Sequence, residues 1–413
     1  MHRLAALPGD PGEGDAVLVE QESLPALVLS HADSDLSLIA QRLSAAGDPP
    51  WMRGLNLAAL SHPAAIDHYI RSSLSDTRLV IVRMLGGRGH WSYGLEQLRE
   101  WAGQSPQRAL LVLGGTADGA EELADLSSEP AAVALSLASC LRHGGPENVD
   151  AVLRWCQCWL EGCAAAAPEP QPQPDPLCFD WQTDDGPAVG VVAYRALWSS
   201  GDTALLEQIA AGLRSAGLCP RILLVSGLRD PALQQAVRDH FDQAAVEAVI
   251  CCTGFASVQA DRAGDGAPLW QQLGVPVIQL LISSGSQERW QSSSVGLSPL
   301  DLAMQVALPE LDGRLMARIG GFKELAQKDE SLQCAIQRYQ PDAAGIAWSI
   351  ELTKRWIALR KTPEHSKRIA LVLANYPTRN ARLANGVGLD TPASAVAILQ
   401  WLQQEGYWQI GRA

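Results

Sequence analysis

The chain has 413 residues, 47% of them hydrophobic and 19% charged, a length that favours two or three folded domains with a substantial core. Acids outnumber bases 45 to 32 for a formal net charge of −13, which argues against a broad nucleic-acid or anionic-membrane surface, because both rely on Lys/Arg clusters, and leaves room only for local basic clefts. The chain does not open on a basic stretch followed by a long apolar core, and no run of about 18 apolar residues occurs, so neither secretion nor a membrane span is expected and the protein reads as cytoplasmic.

In chain order, "PALVLSHADSDLSLIAQRL" reads as a strand ending near Ser30, a polar turn in which Asp33 or Ser34 caps, and an amphipathic helix. "TRLVIVRMLGG" and "RALLVLGGTADG" are two further apolar runs that end in glycine-rich loops, with the helical spacing of "YGLEQLREWAGQS" between them. Such alternation predicts a parallel sheet with crossover helices. Cys156, Cys158 and Cys163 lie in the apolar, helix-like "LRWCQCWLEGC", with no nearby His and no second CxxC. A structural zinc site usually takes four ligands, so these thiols read as core packing. The nine cysteines are odd in number and scattered, which suits reduced thiols.

"AAAAPEPQPQPDP", residues 164–176, alternates proline with polar residues and predicts an extended linker. Beyond it the pattern is regular: strands in "AVGVVAYR", "RILLVSGL", "VEAVICCTG" and "VPVIQLLIS", separated by the helices "DTALLEQIAAGLRSAG", "PALQQAVRDHFDQA" and a short one around "PLWQQLG". Short, continuously apolar strands are those buried on both faces. The expected fold is α/β, with tandem doubly wound, flavodoxin/Rossmann-like parallel-sheet domains joined by a Pro-rich linker. The expected boundaries are 1–163 for the first domain, 164–176 for the linker, 177–330 for the second domain, and 331–413 for a helical segment, a strand and the start of a further domain. In such sheets ligands sit at the strand C-termini, here the loops Tyr194–Ser200, Ser226–Arg229, Thr253–Ser257 and Ser283–Gln287.

No Walker motif occurs. "GGRGHWSYG", residues 86–94, has neither G-x-x-x-x-G-K-[ST] nor G-x-G-x-x-G spacing. Any ATP-driven chemistry therefore needs a nucleotide site on another subunit. His90 reads as a packed loop residue, and His62 and His68 as solvent-facing. In "ALPELDGRL", Glu310 and Asp312 are two apart after the strand-like "MQVAL". In extended backbone Glu310, Asp312 and Arg314 share one face. The trio suits either a metal or carboxamide edge, or an internal salt-bridge network. "LVLANYPTRNARLANGVGLDTPAS", residues 371–394, begins as a buried strand and continues into a polar loop. There Asn375, Asn380, Arg382, Asn385 and Asp390 supply donors and acceptors, Gly386 and Gly388 permit positive φ, and Pro377 fixes its own. Arg379 and Arg382 match carboxylates; the alternative is a self-bonded loop joining domains. Asp390 or Thr391 caps a helix that has Pro392 in its first turn.

Three of these stretches, "VRMLGGRGHWSYGLEQL" (82–98), "ALPELDGRL" (307–315) and "ANYPTRNARLANGVGLDTPAS" (374–394), occur in this order and resemble the family of large chelatase subunits that contains the cobaltochelatase CobN and magnesium-chelatase H subunits, the wording leaning towards the cobalt branch. Two departures are local: His90 stands where an aromatic residue is expected, and Leu383-Ala384 replaces an Ile-Gly-type pair. A third is length, since members of this family continue far beyond the last motif, so an N-terminal portion, inactive alone, is expected.

The resemblance implies a tetrapyrrole- and metal-binding subunit of an ATP-dependent cobaltochelatase, a ligase forming nitrogen–metal bonds. It would insert Co2+ into hydrogenobyrinic acid a,c-diamide, with ATP bound by AAA+ partners of the CobS and CobT type. The alternatives are a magnesium-chelatase H subunit, placing Mg2+ in protoporphyrin IX with partners of the I and D type, and a non-catalytic binding or assembly module. Metal insertion requires a base for the pyrrolic protons and displacement of water from the cation. The tentative substrate-binding set is Glu310, Asp312, Arg314, Asn375, Arg379, Asn380, Arg382, Asn385 and Asp390.

Overall fold

The first strand, β1 (Ala26–Ser30), is buried along its whole length, because helices cover both faces of the sheet it centres. Each of its large aliphatic side chains contributes about 1.5–3 kcal/mol by leaving water. In this computed structural model, which describes residues 18–182, 185–258, 268–373 and 388–407, β1 leads into α1 (Asp33–Ala46), β2 (Met52–Asn56), α2 (Pro63–Ser73), β3 (Leu79–Met84), α3 (Ser92–Gly103), β4 (Ala109–Gly114), α4 (Ala120–Ala124), α5 (Ala131–His143) and α6 (Pro146–Leu160). The four strands are parallel in the order β2-β1-β3-β4, so the direction of winding reverses between β1 and β3.

Two local expectations fail here. Neither Asp33 nor Ser34 caps α1: the cap position is Ala32, with no side-chain bond, and Asp33 instead accepts from Asn56 at 2.7 Å. Strand β2 was hidden because "MRGLN" carries a charge and a glycine. Arg53 is nevertheless buried, donating to Ser331 O at 2.7 Å and pairing with Glu22. Gly54 is small because Leu332 presses on it: a Cβ there would lie 3.0 Å from Leu332 Cδ1.

The proline-rich stretch has neither helix nor strand and is strapped to the first unit. Asn148, 1% exposed, accepts from Gln171 N and donates to Gln171 O, both at 2.9 Å, and Ser136 donates to Pro168 O.

The second unit comprises β5 (Leu177–Asp180), β6 (Ala188–Tyr194), α7 (Ala196–Ser199), α8 (Ala204–Ser215), β7 (Cys219–Val225), α9 (Pro231–Gln243), β8 (Ala248–Cys251), α10 (Pro268–Leu273), β9 (Val277–Ser283), α11 (Gln287–Ser292), α12 (Pro299–Leu302), α13 (Leu308–Glu310), β10 (Leu315–Lys328), β11 (Ala335–Pro341) and α14 (Ala343–Lys361). Its seven strands run β11-β10-β9-β8-β6-β7-β5, parallel except for the antiparallel edges β5 and β11. The winding reverses between β6 and β8. Strands β10 and β11 were not legible: β10 is broken by Gly320, where a Cβ would lie 2.7 Å from Leu280, and by register shifts against β9.

The β10–β11 hairpin straddles residue 330, the expected end of the second domain. Its tip enters the first unit, where Leu332, Cys334 and Ile336 join the core around β1. Gln21 donates to Gly54 O and Leu332 O, both at 3.0 Å. Residues Leu371–Leu373, expected as a buried strand, are in no strand and are 42–86% exposed. A last helix, α15 (Thr391–Gln404), begins as expected, with Asp390 accepting from Ala393 N at 3.0 Å and Pro392 in the first turn. No helix among the described residues is long and apolar enough to cross a membrane.

Candidate functional site

The C-terminal rims of the two sheets, at their winding reversals, are the places where this topology positions loops for ligands. The second rim contains part of the sequence-predicted trio. "MQVAL" is not extended: Ala303–Ala307 forms a π-helical turn that runs into α13, so strand alternation does not apply. Gly313, with φ 70°, then reverses the chain. Glu310 is exposed, whereas the side chains of Asp312 and Arg314 are both 0% exposed.

These two buried groups weld the loop after β8 to the start of β10. Asp312 accepts from Ser257 N at 2.9 and 3.0 Å, from Val258 N at 3.3 Å and from Trp270 Nε1 at 3.3 Å. Arg314 donates to Asp312 at 2.5 and 3.0 Å, to Thr253 O and Gln279 Oε1 at 2.9 Å, and to Phe255 O at 3.1 Å. Its guanidinium also lies 5.6 Å from the centre of the Trp270 ring. A buried ion pair is tolerated only when remaining donors and acceptors are satisfied; here they are satisfied from within. Tyr194 adds a bridge across the reversal, donating to Gly254 O at 2.9 Å, and burial pushes its hydroxyl up to about 12. Of the two readings offered for the trio, the contacts of Asp312 and Arg314 are those of an internal salt-bridge network.

The first rim is open. Gly86 (φ 103°) leaves room for the His90 ring, which a Cβ there would meet at 2.8 Å, and Gly94 leaves room for Trp91, 2.3 Å from a Cβ. Trp91 is buried and donates to Leu60 O at 2.8 Å. This packing holds Arg88 and His90 out on an exposed turn. His90 Nδ1 bonds Gly87 O at 3.2 Å, which leaves its Nε2 free for a ligand. Across the reversal, His31 Nδ1 accepts from Leu85 N at 3.2 Å, so the proton of the neutral ring sits on Nε2. Burial, and then the nearby His90, hold the His31 imidazole below its ordinary pKa. Beneath them Asp35 pairs with Arg83 and accepts from Ser30 Oγ at 2.6 Å. Among the described residues no hydrogen bond or ion pair reaches the Arg88 guanidinium. An unpaired guanidinium on the same exposed turn as an imidazole can hold a carboxylate or carboxamide edge.

Sequence reasoning missed His31; the available signal was its place directly after the last residue of the first strand. Of the remaining tentative residues, Asp390 is spent on capping α15, and Asn375, Arg379, Asn380, Arg382 and Asn385 lie outside the described residues. Cys156 is buried, Cys158 half-buried and Cys163 exposed. No three His, Cys, Asp or Glu side chains among the described residues gather closely enough to hold a metal ion.

Comparison with known proteins identifies relatives of the chain. The chain is similar to the aerobic cobaltochelatase subunit CobN of Pseudomonas aeruginosa, 35% identical over 425 residues that cover 98% of this chain and 33% of the relative. It is also similar to the chloroplastic magnesium-chelatase subunit ChlH of Oryza sativa, 26% identical over 230 residues that cover 54% of this chain and 16% of the relative. The catalytic subunit of cobaltochelatase from Mycobacterium tuberculosis superposes with a TM-score of 0.72 at 28% identity, covering 94% of this chain and 31% of that one. The chain thus spans about a third of the length of these cobaltochelatase relatives. Residues 138–411, well over half the chain, match the family model of CobN/magnesium chelatase, and with both sheets superposing on a solved member the chain belongs to that family.

Proposed function

We propose that this chain is a section of the tetrapyrrole- and metal-binding subunit of an ATP-dependent cobaltochelatase. In this reading it serves the insertion of Co2+ into hydrogenobyrinic acid a,c-diamide in cobalamin biosynthesis, while AAA+ partners of the CobS and CobT type bind ATP. The observation that carries the reading is similarity along the whole chain: 98% of it aligns with a cobaltochelatase subunit, against 54% with a magnesium-chelatase one. That second similarity supports the alternative, Mg2+ and protoporphyrin IX with partners of the I and D type.

The part assigned to this section is binding. Arg88 supplies the cation for the acidic periphery of the macrocycle, the Nε2–H of the neutral His31 ring is a further donor, and His90 Nε2 is left as an acceptor for a carboxamide N–H. Exposed Glu310 and the loop residues Asn375, Arg379, Asn380, Arg382 and Asn385 are retained as proposed contacts. Removal of pyrrolic protons and dehydration of the cation need a base and ligands that this reading leaves to the rest of the subunit.

The test is an absorbance or fluorescence titration of the purified chain with hydrogenobyrinic acid a,c-diamide and, separately, with protoporphyrin IX. Saturable corrinoid binding, weakened by Arg88→Ala or Arg382→Ala, is expected. Binding of the porphyrin alone would move the assignment to the magnesium branch, and binding of neither would overturn the ligand role of this section.

A further inference from the structure

The C-terminus of α6 ends in a cap whose geometry decides which side chains meet. Gly162 takes the left-handed conformation, φ 76°. Gly162 N donates to Trp159 O at 3.0 Å and Cys163 N to Cys158 O at 2.9 Å. This is the paired 5→2 and 6→1 pattern of a Schellman motif, which brings the side chain three residues before the cap against the one two residues after it. Here both of those side chains are cysteines. Both thiols are free, and they are reachable, Cys158 half-buried and Cys163 exposed. A backbone bond of this kind holds the two Cα atoms within the roughly 4.4–6.8 Å that a disulfide spans.

We propose that Cys158 and Cys163 form a vicinal dithiol that a low-molecular-weight disulfide oxidises to an intramolecular disulfide. The Cys163 thiolate, the more exposed, attacks one sulfur of the incoming disulfide and expels a thiolate, leaving a mixed disulfide on Cys163. The Cys158 thiolate then attacks the Cys163 sulfur and expels the second thiolate. Two protein thiols lose two protons and two electrons, and the small disulfide is reduced to two thiols. Burial and the adjoining Cys163 thiol hold the Cys158 thiol above its ordinary pKa, which suits it to the second, resolving step.

The bond would close at a structural junction. Arg78 donates to Leu160 O at 2.8 Å on this last turn, and the proline-rich strap departs immediately after Cys163. Cys158 also lines an open groove of about 700 Å³ between α6 and that strap, with Arg154, Trp155, Ala165, Pro168 and Glu169. Oxidation would staple the root of the strap to the helix whose Asn148 already holds Gln171.

The test uses oxidised glutathione on the reduced, purified chain, followed by thiol blocking and digestion with trypsin and a glutamyl endoprotease. Cleavage after Glu161 separates Cys158 from Cys163, so an intramolecular disulfide leaves two peptides joined until reductant is added. The expected result is that joined pair, with a fall of two in the thiols that the pair contributes, abolished in Cys158→Ser and in Cys163→Ser. Glutathione adducts persisting on Cys163 with Cys158 still free, or a link from either residue to exposed Cys178, would overturn the proposal. A second reading is capture of phenylarsine oxide, which needs two adjacent thiols: stoichiometric binding lost in either serine variant supports the dithiol, and binding unchanged in both refutes it.

Discussion

The two sheets reverse their winding in the same way, yet their rims have opposite chemistry. At the second rim, Asp312 and Arg314 are wholly buried and every contact described for them is internal, so residues 253–258 after β8 are tied back onto their own sheet. At the first, a glycine-rich turn packed on Trp91 holds out Arg88, whose guanidinium has no described partner, on the same exposed turn as His90. The difference teaches that topology locates a candidate site but does not make one. A rim becomes available to a ligand only where the chain leaves its polar groups unspent.

The strongest way to break this comparison is to empty the closed rim. Arg314→Ala leaves the Asp312 carboxylate buried without its cation, which costs about 3–5 kcal/mol, whereas replacing both members by apolar residues of similar volume should recover much of that loss. Urea denaturation of the two variants checks this. Equal loss in the single and the double variant would show that the network contributes through its shape rather than its charge balance. Next in size is the plug between the units: Leu332→Ala removes a side chain with 0% exposure and should cost about 2–5 kcal/mol. Because Leu332 sits in the first core while its strands belong to the second sheet, a single cooperative unfolding transition should persist but move to lower urea.

The two sheets also differ in what could be read in advance. The buried strands were legible because apolar runs such as "ALVLS" and "VIQLLIS" carry their own period. So was the cap at Asp390, a local rule. Strand β2 was not, because Arg53 and Gly54 make sense only against Ser331 and Leu332, nearly 280 residues away in sequence. The common face expected of the trio was lost for a related reason, although the salt-bridge reading of Asp312 and Arg314 matches their contacts. That face assumed extended backbone, but the π-helical turn of Ala303–Ala307 runs into α13 and Gly313 then reverses the chain, leaving Glu310 exposed and Asp312 buried. The glycines of the "GGRGHWSYG" turn superficially resemble a phosphate cradle, but two of them exist to admit the rings of His90 and Trp91, which no spacing rule reveals.

A smaller effect sharpens the open rim. His31 is held below its ordinary pKa of 6.5 by burial and by His90, so the unfolded chain takes up the proton first as pH falls. Its contribution to stability is therefore complete above about pH 6.5 and is lost as pH drops through the lower folded value. His31→Asn retains an acceptor for Leu85 N and removes the titration. Denaturation midpoints of the two proteins should run together above neutrality and diverge in mild acid, the asparagine variant losing less. Parallel curves across that range would mean that His31 is not desolvated in the folded chain.

The smallest effect on stability should come from the residue that matters most to the open rim. Arg88 is exposed and its guanidinium has no partner among the described residues, so Arg88→Ala should change unfolding free energy by no more than about 0.5 kcal/mol. A charge-assisted hydrogen bond to an anionic ligand is worth about 1.5–3 kcal/mol, so the same change should weaken corrinoid binding by roughly tenfold or more. Arg88→Lys keeps the charge but loses the fork, and should fall between them. That separation, binding lost while stability stays, is the reverse of what Arg314→Ala should do. If Arg88→Ala instead destabilised the fold and left binding intact, the turn would be a second closed rim and the contrast between the two sheets would disappear.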